Sequence, residues 1–423
     1  MAKKKGAGKP PRDMTKRHLA LWRRQQRRQR VVFISGVSVI VAVVLIILAG
    51  WYLSDYRPMH RTVIKVNDAT FDTSYFIDAL QVIGSGKTVD DYVSLVSSMI
   101  PEIERTELIR QGAKALGITA SDNESRAMLV GKGVPVNKAT IDLARSQLIQ
   151  EKLKKEYFEA KVPVSAPQVH IMAIFLESES QAAELRARLL NGDNFTDLAA
   201  EYSVSDFIKA KKGDIDWHPR EILATLLDSS VPGDFAFGAE AGVLSQPLQD
   251  KDKSKLLGYW LIKVLEREAG ATEAQVQALL LGSKDEAQGV RDKLLAGGDL
   301  AELAKEFSQN GVSQKGGGEM GVVSQEEISP AFDSFVFDTA TKVGEWSLPV
   351  SDNAVTTKGG SWLVDVLEKA ADRVIDSTDR DSLVAKAYSS WVSGLQSDPA
   401  NKVESYLNTD DYLWVAERAA SKK

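Results

Sequence analysis

Apolar residues recur at spacings of three or four through most of the segment from 61 to 160, which predicts a mostly helical region after one short strand at Thr62 to Val66. Prolines then stiffen a predicted linker at Val162 to Pro167. Past Asp372 the pattern is helical again, and its apolar stripe consists of Leu383, Ala387, Trp391 and Leu395. Because that stripe needs a partner, we expect the C-terminal helix to pack on the helical region.

Two apolar runs in the remaining part predict buried strands, Val169 to Leu176 and Val276 to Leu281. Helical periodicity follows each run. Alternating runs at Tyr259 to Leu265 and Ser361 to Leu367 predict a strand that closes each copy. The pattern indicates an α+β fold in which helices cover small antiparallel sheets.

These two parts are copies of one another. Residues 170–203 and 275–308 align without a gap, and 12 of the 34 aligned pairs are identical. A period near 100 residues is too long for a solenoid, so each copy is expected to have its own core.

An uncharged run of 23 residues, Val31 to Leu53, is long enough to cross a membrane. Residues 1–30 carry 12 Lys and Arg against one Asp, which favours a cytoplasmic N-terminus and an extracytoplasmic remainder. A cleaved signal peptide is the alternative, but its apolar core is usually shorter. The basic tail acts as an orientation signal in this interpretation, and contact with nucleic acid or anionic lipid is the alternative.

Residue counts exclude several kinds of chemistry. The chain has no Cys and four His, so thiol nucleophiles, disulfides and zinc sites of the usual spacing are excluded. Its Asp and Glu residues fall mainly on helical faces, as solvated surface charge does.

One series of motifs occurs in both copies. In the first copy it runs from His170 through Gly192, the Tyr202-Ser203 pair and Lys212-Gly213-Asp214 to Gly258-Tyr259-Trp260. The second copy carries Gly317-Gly318-Glu319-Met320-Gly321, Ile328-Ser329-Pro330-Ala331-Phe332 and Gly360-Ser361-Trp362.

This order resembles the parvulin-type peptidyl-prolyl cis-trans isomerases. With the helical flanks and the apolar run, the layout is similar to membrane-anchored foldases of the PrsA and SurA type. The resemblance implies isomerisation of X-Pro bonds, whose uncatalysed barrier is about 18–20 kcal/mol, without a cofactor or metal.

The resemblance also implies site residues. It assigns His170 and Asp206 as catalytic in the first copy, where Trp260 replaces the family's second His. In the second copy Gln275, Asn310 and Trp362 replace all three family residues. The implied substrate-binding residues are Trp217, Leu223, Leu227, Phe237, Trp260, Gln275, Asn310, Met320, Ile328, Phe332, Phe337 and Trp362.

Each assignment has a structural alternative. A His on an apolar strand is often a core residue, the two Trp suit a core as well as a peptide-binding floor, and Phe332 and Phe337 also fit a helix stripe.

The sequence therefore predicts six segments: a basic cytoplasmic tail (1–30), a transmembrane helix (31–53), a helical chaperone-like domain (61–164), parvulin-like domains (165–268 and 270–370) and a C-terminal helical segment (373–423). The expected partners are unfolded exported polypeptides that contain proline, and the membrane through residues 31–53. Nucleic acid is not expected, and a homodimer is possible on sequence grounds. A non-catalytic holdase or scaffold is the alternative function, and an anchor for an envelope complex is a weaker one.

Overall fold

The computed structural model describes residues 16–84, 87–268 and 270–421, with side chains from Phe33 onward. Residues 1–15 of the predicted basic tail lie outside this description. Short π-helical turns at Tyr52–Tyr56 and Leu153–Phe158 continue two of the helices. The α-helices are α1 (Lys16–Trp51), α2 (Arg57–Met59), α3 (Thr73–Gly84), α4 (Val89–Ala115), α5 (Asp122–Leu129), α6 (Lys138–Lys152), α7 (Glu159–Lys161), α8 (Glu179–Leu190), α9 (Phe195–Tyr202), α10 (Asp206–Lys211), α11 (Arg220–Leu226), α12 (Val231–Gly238), α13 (Lys284–Leu295), α14 (Leu300–Phe307), α15 (Gly311–Lys315), α16 (Pro330–Val336), α17 (Ser377–Ser397) and α18 (Thr409–Ser421).

Twelve strands form three sheets in the described residues. The strands are β1 (Thr62–Val66), β2 (Ala69–Asp72), β3 (Ser165–Leu176), β4 (Asp214–His218), β5 (Val243–Leu244), β6 (Leu248–Lys255), β7 (Gly258–Glu266), β8 (Glu273–Leu281), β9 (Glu319–Ser324), β10 (Val350–Asp352), β11 (Thr357–Val374) and β12 (Val403–Ser405). The sheet orders are β12-β1-β2, β4-β3-β11-β5 with β6 also paired to β11, and β10-β7-β8-β9. Every strand pair is antiparallel. This mixture of helices and antiparallel sheets confirms the predicted α+β class.

The described residues divide into two compact units, and the first consists of those up to Tyr157 together with those from Tyr388 onward. Its core combines residues of β1, α3 and α4 with Val415, Ala416 and Ala419 of α18. A capping box at Thr88 and Asp91 starts α4 by satisfying backbone N–H groups that would otherwise lack partners. Burial of these apolar side chains is the main force that holds the C-terminal elements in this unit.

The N-terminal helix has the length and composition of a membrane span. Within the segment Phe33–Met59, which is 27 residues long, an 18-residue window has a mean hydropathy of 2.8, and no part of that window is buried by the rest of the protein. A helix in the core of a soluble protein has its apolar face covered, whereas the apolar side chains of this helix are exposed.

The second unit, Phe158–Ala387, consists of two lobes that exchange their closing strands. Lobe A contains β3–β6, α8–α12 and β11. Lobe B contains β7–β10 and α13–α16. Thus β3 of the first copy pairs with β11 of the second, while β7 of the first copy pairs with β8 of the second.

The predicted boundaries 165–268 and 270–370 assumed that each copy keeps its own closing strand, and the structure corrects this. The two strands are interchangeable in sequence, because 258–266 and 360–368 are identical at six of nine aligned positions. Both therefore present the same apolar face to a sheet, so the hydrophobic pattern cannot decide which sheet each one joins.

Short segments carry the chain between the lobes. Residues 256–257 lead out of lobe A and residues 353–356 lead back. Lys255 is 5% exposed, and its ammonium group donates hydrogen bonds to the backbone carbonyls of Lys358 and Gly359. The side chain of Gln309 in lobe B accepts a hydrogen bond of 2.6 Å from the backbone N–H of Lys358 and donates one of 3.1 Å to the carbonyl of the same residue. These bonds fix the start of β11 where it returns to lobe A.

The predicted linker at Val162 to Pro167 is shorter in the structure, since β3 begins at Ser165. Pro167 lies where the pairing register of β3 and β11 shifts, between Ala166 and Gln168. A proline is tolerated at such an irregularity because no ladder hydrogen bond is required from its nitrogen.

Candidate functional site

Lobe B has an open cavity of about 430 Å³ beside its sheet. Its apolar walls are Trp260, Leu280, Val312, Met320, Val323, Ile328 and Val355, and its polar lining is Gln309, Asn310, Gly311, Glu327 and Thr356. The structure thus brings together four of the predicted substrate-binding residues: Trp260, Asn310, Met320 and Ile328. This mixture of apolar walls and few polar groups is typical of small-ligand and peptide side-chain sites.

Each of these four residues is positioned by a separate element. Trp260 lies on β7, Met320 on β9 and Ile328 just before α16. Asn310 is the N-cap of α15, where its Oδ1 accepts hydrogen bonds of 3.0 Å from the backbone N–H groups of Val312 and Ser313. The cap fixes the rotamer of Asn310 and leaves its Nδ2 on the other side of the amide.

Two further predicted residues support the cavity from behind. Phe332 of α16 is fully buried, and its ring meets Trp260 edge-on with centroids 5.0 Å apart. Phe337 follows α16 and packs against the same core cluster. The indole N–H of Trp260 donates to Asp352 at 2.9 Å, so the ring is held by both packing and a hydrogen bond.

The corresponding place in lobe A is a closed core. Trp362, Phe175, Leu223 and Leu227 are each at most 3% exposed. Phe175 occupies the repeat position of Leu280, and its larger ring lies 4.6 Å from the ring of Trp362. Leu223 and Leu227 are therefore core residues in the structure, not lining residues of an open site.

Strand exchange also reassigns the two tryptophans. The sequence placed Trp260 in the first copy and Trp362 in the second, but Trp260 is a lobe B residue and Trp362 a lobe A residue. Trp362 is fully buried, which settles it as a core residue. Trp260 is 1% exposed and is one of the residues that line the cavity.

His170 does not face the lobe A cluster. Side chains alternate along β3, and Val169, Ile171 and Ala173 point into that cluster, so His170 lies on the opposite face. Its Nε2 is 2.8 Å from Oδ1 of Asp214, and its Nδ1 is 3.8 Å from Glu368. Partial burial raises the pKa of Asp214, but hydrogen bonds from His170 and from the backbone of Asp216 outweigh that effect and hold the pKa below its ordinary value.

Asp206, the second predicted catalytic residue, is exposed at the first position of α10. The polar partners of His170 are Asp214 and Glu368 instead, so the structure does not support a His170–Asp206 pair. Gln275 repeats the position of His170 in lobe B, and it is exposed on the face opposite Ala274 and Val276.

Trp217 and Phe237 do not line the lobe B cavity. Trp217 is half-buried beside His170, and the guanidinium of Arg373 lies 4.4 Å from its ring centroid. Phe237 packs at the edge of the lobe A cluster, with the guanidinium of Arg220 4.7 Å from its ring centroid. Both rings are covered by arginines, which contribute cation–π attraction.

Several lining residues had no signal in the sequence. Gln309 aligns with Val204 of the first copy, so the repeat alone gives no reason to choose it. Val355 and Thr356 lie in the segment that crosses back to lobe A, and they reach the cavity only because the strands are exchanged. Among the residues with described side chains, no group of three or more His, Asp or Glu is placed to hold a metal ion.

Family models match both copies. A PPIC-type PPIase domain matches residues 170–266, and a second model of a PPIC-type PPIase domain matches residues 259–370. The chain carries two parvulin-type domains. Each family model matches one continuous stretch of the sequence. In the folded protein, however, the strand at the end of each matched stretch pairs with the sheet of the other lobe.

Similar proteins are chaperones. The chaperone SurA of Hahella chejuensis is 25% identical over 300 residues, which cover 68% of this chain and 64% of that protein. SurA of Chromohalobacter salexigens is 27% identical over 295 residues, covering 65% and 59%. SurA of Alcanivorax borkumensis is 30% identical over 216 residues, covering 48% and 46%. The chain thus spans less than two thirds of the length of each of these relatives.

Among solved structures, the peptidylprolyl isomerase PrsA from Bacillus cereus matches 86% of this chain and 92% of its own, at 10% identity and a TM-score of 0.24. PrsA from Bacillus anthracis matches 83% and 99%, at 11% identity and a TM-score of 0.23. Because these TM-scores are low, the parvulin assignment rests on the sequence matches alone.

Proposed function

We propose that this chain is a membrane-anchored, extracytoplasmic folding factor that binds proline-containing segments of unfolded chains in the lobe B cavity and accelerates their cis–trans isomerisation. The observation that carries the proposal is the cavity of about 430 Å³ that Trp260, Met320 and Ile328 line in a parvulin-type domain. A proline ring is apolar and compact, and an apolar cavity of this size accommodates it with its neighbours.

Isomerisation needs the amide to twist, and the lining suits that step. As the X-Pro bond rotates, resonance is lost, and the enzyme accelerates the reaction to the extent that it favours the twisted amide over the planar one. The apolar walls hold the ring while the preceding residue rotates. Asn310 donates from Nδ2 to the peptide carbonyl, because its Oδ1 is already engaged in the helix cap.

A second candidate is a holdase that binds without catalysis. It is favoured by the composition of the lining, in which Glu327 is the only ionisable side chain and no histidine occurs. The His170–Asp206 pair, which carried catalysis in the sequence analysis, is not part of this cavity.

A protease-coupled isomerisation assay on proline tetrapeptides tests the proposal, with the full chain in detergent micelles. We expect acceleration that Ile328→Asp reduces at least about tenfold, because a charge in an apolar cavity opposes ring burial. His170→Ala serves as the matched control and is expected to keep full activity. If the unaltered chain gives no acceleration but still prevents aggregation of an unfolded client, and Ile328→Asp abolishes that protection, the holdase is correct.

Membrane anchoring is part of the same proposal. The exposed apolar segment Phe33–Met59 and the basic residues before it support a span with a cytoplasmic N-terminus. Because the chain has no native Cys, single cysteines report topology directly. In intact spheroplasts, Lys342→Cys is expected to react with a membrane-impermeant maleimide, and Ala2→Cys only after lysis. The reverse pattern, or release of a truncated soluble chain, contradicts the anchor.

A further inference from the structure

A segment that forms part of the lobe B cavity carries only acidic charges. The 26 residues between Lys315 and Lys342 contain no Lys, Arg or His, and their five charged residues are Glu319, Glu326, Glu327, Asp333 and Asp338. This segment comprises β9, the following loop and α16. Strand β9 supplies Met320 and Val323 to the lining, and the loop supplies Glu327 and Ile328.

Glu327 is the charged residue of this segment that lines the cavity. Its Oε2 accepts a hydrogen bond of 2.8 Å from the backbone N–H of Ser324, which holds the side chain against the loop. The side chain is exposed. In the part of the chain with described side chains, no Lys or Arg forms an ion pair with it.

Neighbouring charges do not compensate Glu327. Glu319 is bonded to the side-chain amide of Gln277, and Asp333 accepts from the backbone of Glu326. Arg267 of lobe B donates to the backbone carbonyls of Val336 and Thr341. A peptide in the cavity therefore meets the carboxylate of Glu327, which no described Lys or Arg pairs with.

Lobe A provides the internal comparison. Its corresponding segment, 211–236, includes the basic residues Lys211, Lys212 and Arg220, and Arg220 pairs with Asp234 at 2.6 Å. The segment with acidic charges only thus occurs in the lobe that has the open cavity, and the corresponding segment of lobe A also carries basic residues.

We propose that Glu327 makes the lobe B cavity selective for proline segments that carry Lys or Arg next to the proline. This inference rests on the proposed function, since it needs a proline in the cavity. A basic neighbour gains an ion pair at the rim, and an acidic neighbour meets like charge. Exposed ion pairs are modest, so each is expected to change affinity by about two- to fivefold.

Fluorescence anisotropy with labelled peptides tests the inference on the full chain in micelles. Three peptides are identical except for the residue before the proline, which is Lys, Ala or Glu. A fourth peptide is the Lys peptide with its proline replaced by Ala. We expect binding in the order Lys, Ala, Glu, with about a fourfold to twentyfold span. The span is expected to collapse in about 1 M salt, where the Debye length is about 3 Å.

Glu327→Gln is expected to bring the affinities of the Lys and Glu peptides within about twofold of each other. Glu326→Gln is the matched control, because that neighbouring carboxylate does not line the cavity, and it is expected to retain the preference.

Two failures are distinguishable. If replacing the proline by Ala leaves binding unchanged, the proposed function is wrong. If binding needs proline but the three charged and neutral peptides bind equally, or if Glu327→Gln keeps the original span, the selectivity inference is wrong.

Discussion

The indole nitrogen of Trp362 donates a hydrogen bond of 2.9 Å to Oδ2 of Asp250, although the two residues belong to different copies of the repeat. Its counterpart joins Trp260 to Asp352, also at 2.9 Å. Both bonds are buried, and each one ties a closing strand to the copy that did not encode it. The two parvulin lobes are therefore nested in the chain, with lobe B inserted between β6 and β11 of lobe A.

Engineered disulfides test the strand exchange directly. His170 and Glu368 are register partners on β3 and β11, and opposed residues of antiparallel strands have Cα atoms about 4.5–5.5 Å apart, within reach of a disulfide. We expect His170→Cys with Glu368→Cys to oxidise to a crosslinked form that migrates faster on non-reducing gels. Glu266 takes the place of Glu368 if each copy keeps its own strand, so His170→Cys with Glu266→Cys is the control. Crosslinking of the control pair in place of the first would refute the exchange.

Removal of each tryptophan is expected to loosen the lobe that the structure assigns to it. Trp362→Ala leaves a cavity in lobe A and costs about 3–5 kcal/mol of its stability. Hydrogen exchange measured by mass spectrometry should then show lost protection in residues 165–255, with lobe B unchanged. Trp260→Ala should show the converse and also abolish peptide binding. Loss of protection in lobe B on Trp362→Ala contradicts the nested arrangement.

Lys255 predicts a pH dependence of stability. Burial lowers the pKa of its ammonium group to about 8, while Glu177 and Glu286 oppose that shift. The ordinary pKa is 10.5, so the unfolded chain binds more protons than the folded one between about pH 8 and 10.5, and stability rises with pH across that window.

The free energy of unfolding of the unaltered chain relative to Lys255→Met is expected to increase by about 1–3 kcal/mol from about pH 7.5 to about pH 10. Urea titrations followed by tryptophan fluorescence measure it. The exposed Lys251→Met is the control and should give a flat difference. A flat difference for Lys255→Met as well would show that its charge is not penalised in the fold.

Gly112 of α4 predicts how the C-terminal helix is held in the first unit. A Cβ at this position would lie 2.8 Å from Cζ2 of Trp391 and 2.9 Å from Cδ1 of Leu395. Gly112→Val is therefore expected to destabilise this unit by about 1–3 kcal/mol and to increase exchange in residues 388–397. Gly289 of α13 has open space around it, so Gly289→Val should change stability by less than about 0.5 kcal/mol. Equal effects of the two substitutions would mean that α17 does not pack at Gly112.

Much of the fold followed from local pattern. Apolar runs at Val169 to Leu176 and Val276 to Leu281 became β3 and β8, and the fold class and the parvulin assignment were confirmed. The lining residues Met320 and Ile328 were also predicted, because the second copy keeps the family's residue types at those positions. Local sequence suffices here because strand periodicity and motif spacing are properties of neighbouring residues.

Tertiary structure alone decided which sheet receives each closing strand. Residues 258–266 and 360–368 share Gly, Trp, Leu, Val, Leu and Glu at aligned positions, so either strand satisfies either sheet. The choice depends on short crossing segments and on contacts distant in sequence, such as Gln309 with Lys358. Tertiary structure also decided the location of the site. His170 lies on the face of β3 away from the lobe A cluster because of the strand register, and Phe175 fills the core of lobe A because of its side-chain volume. Neither property is encoded by a short sequence motif.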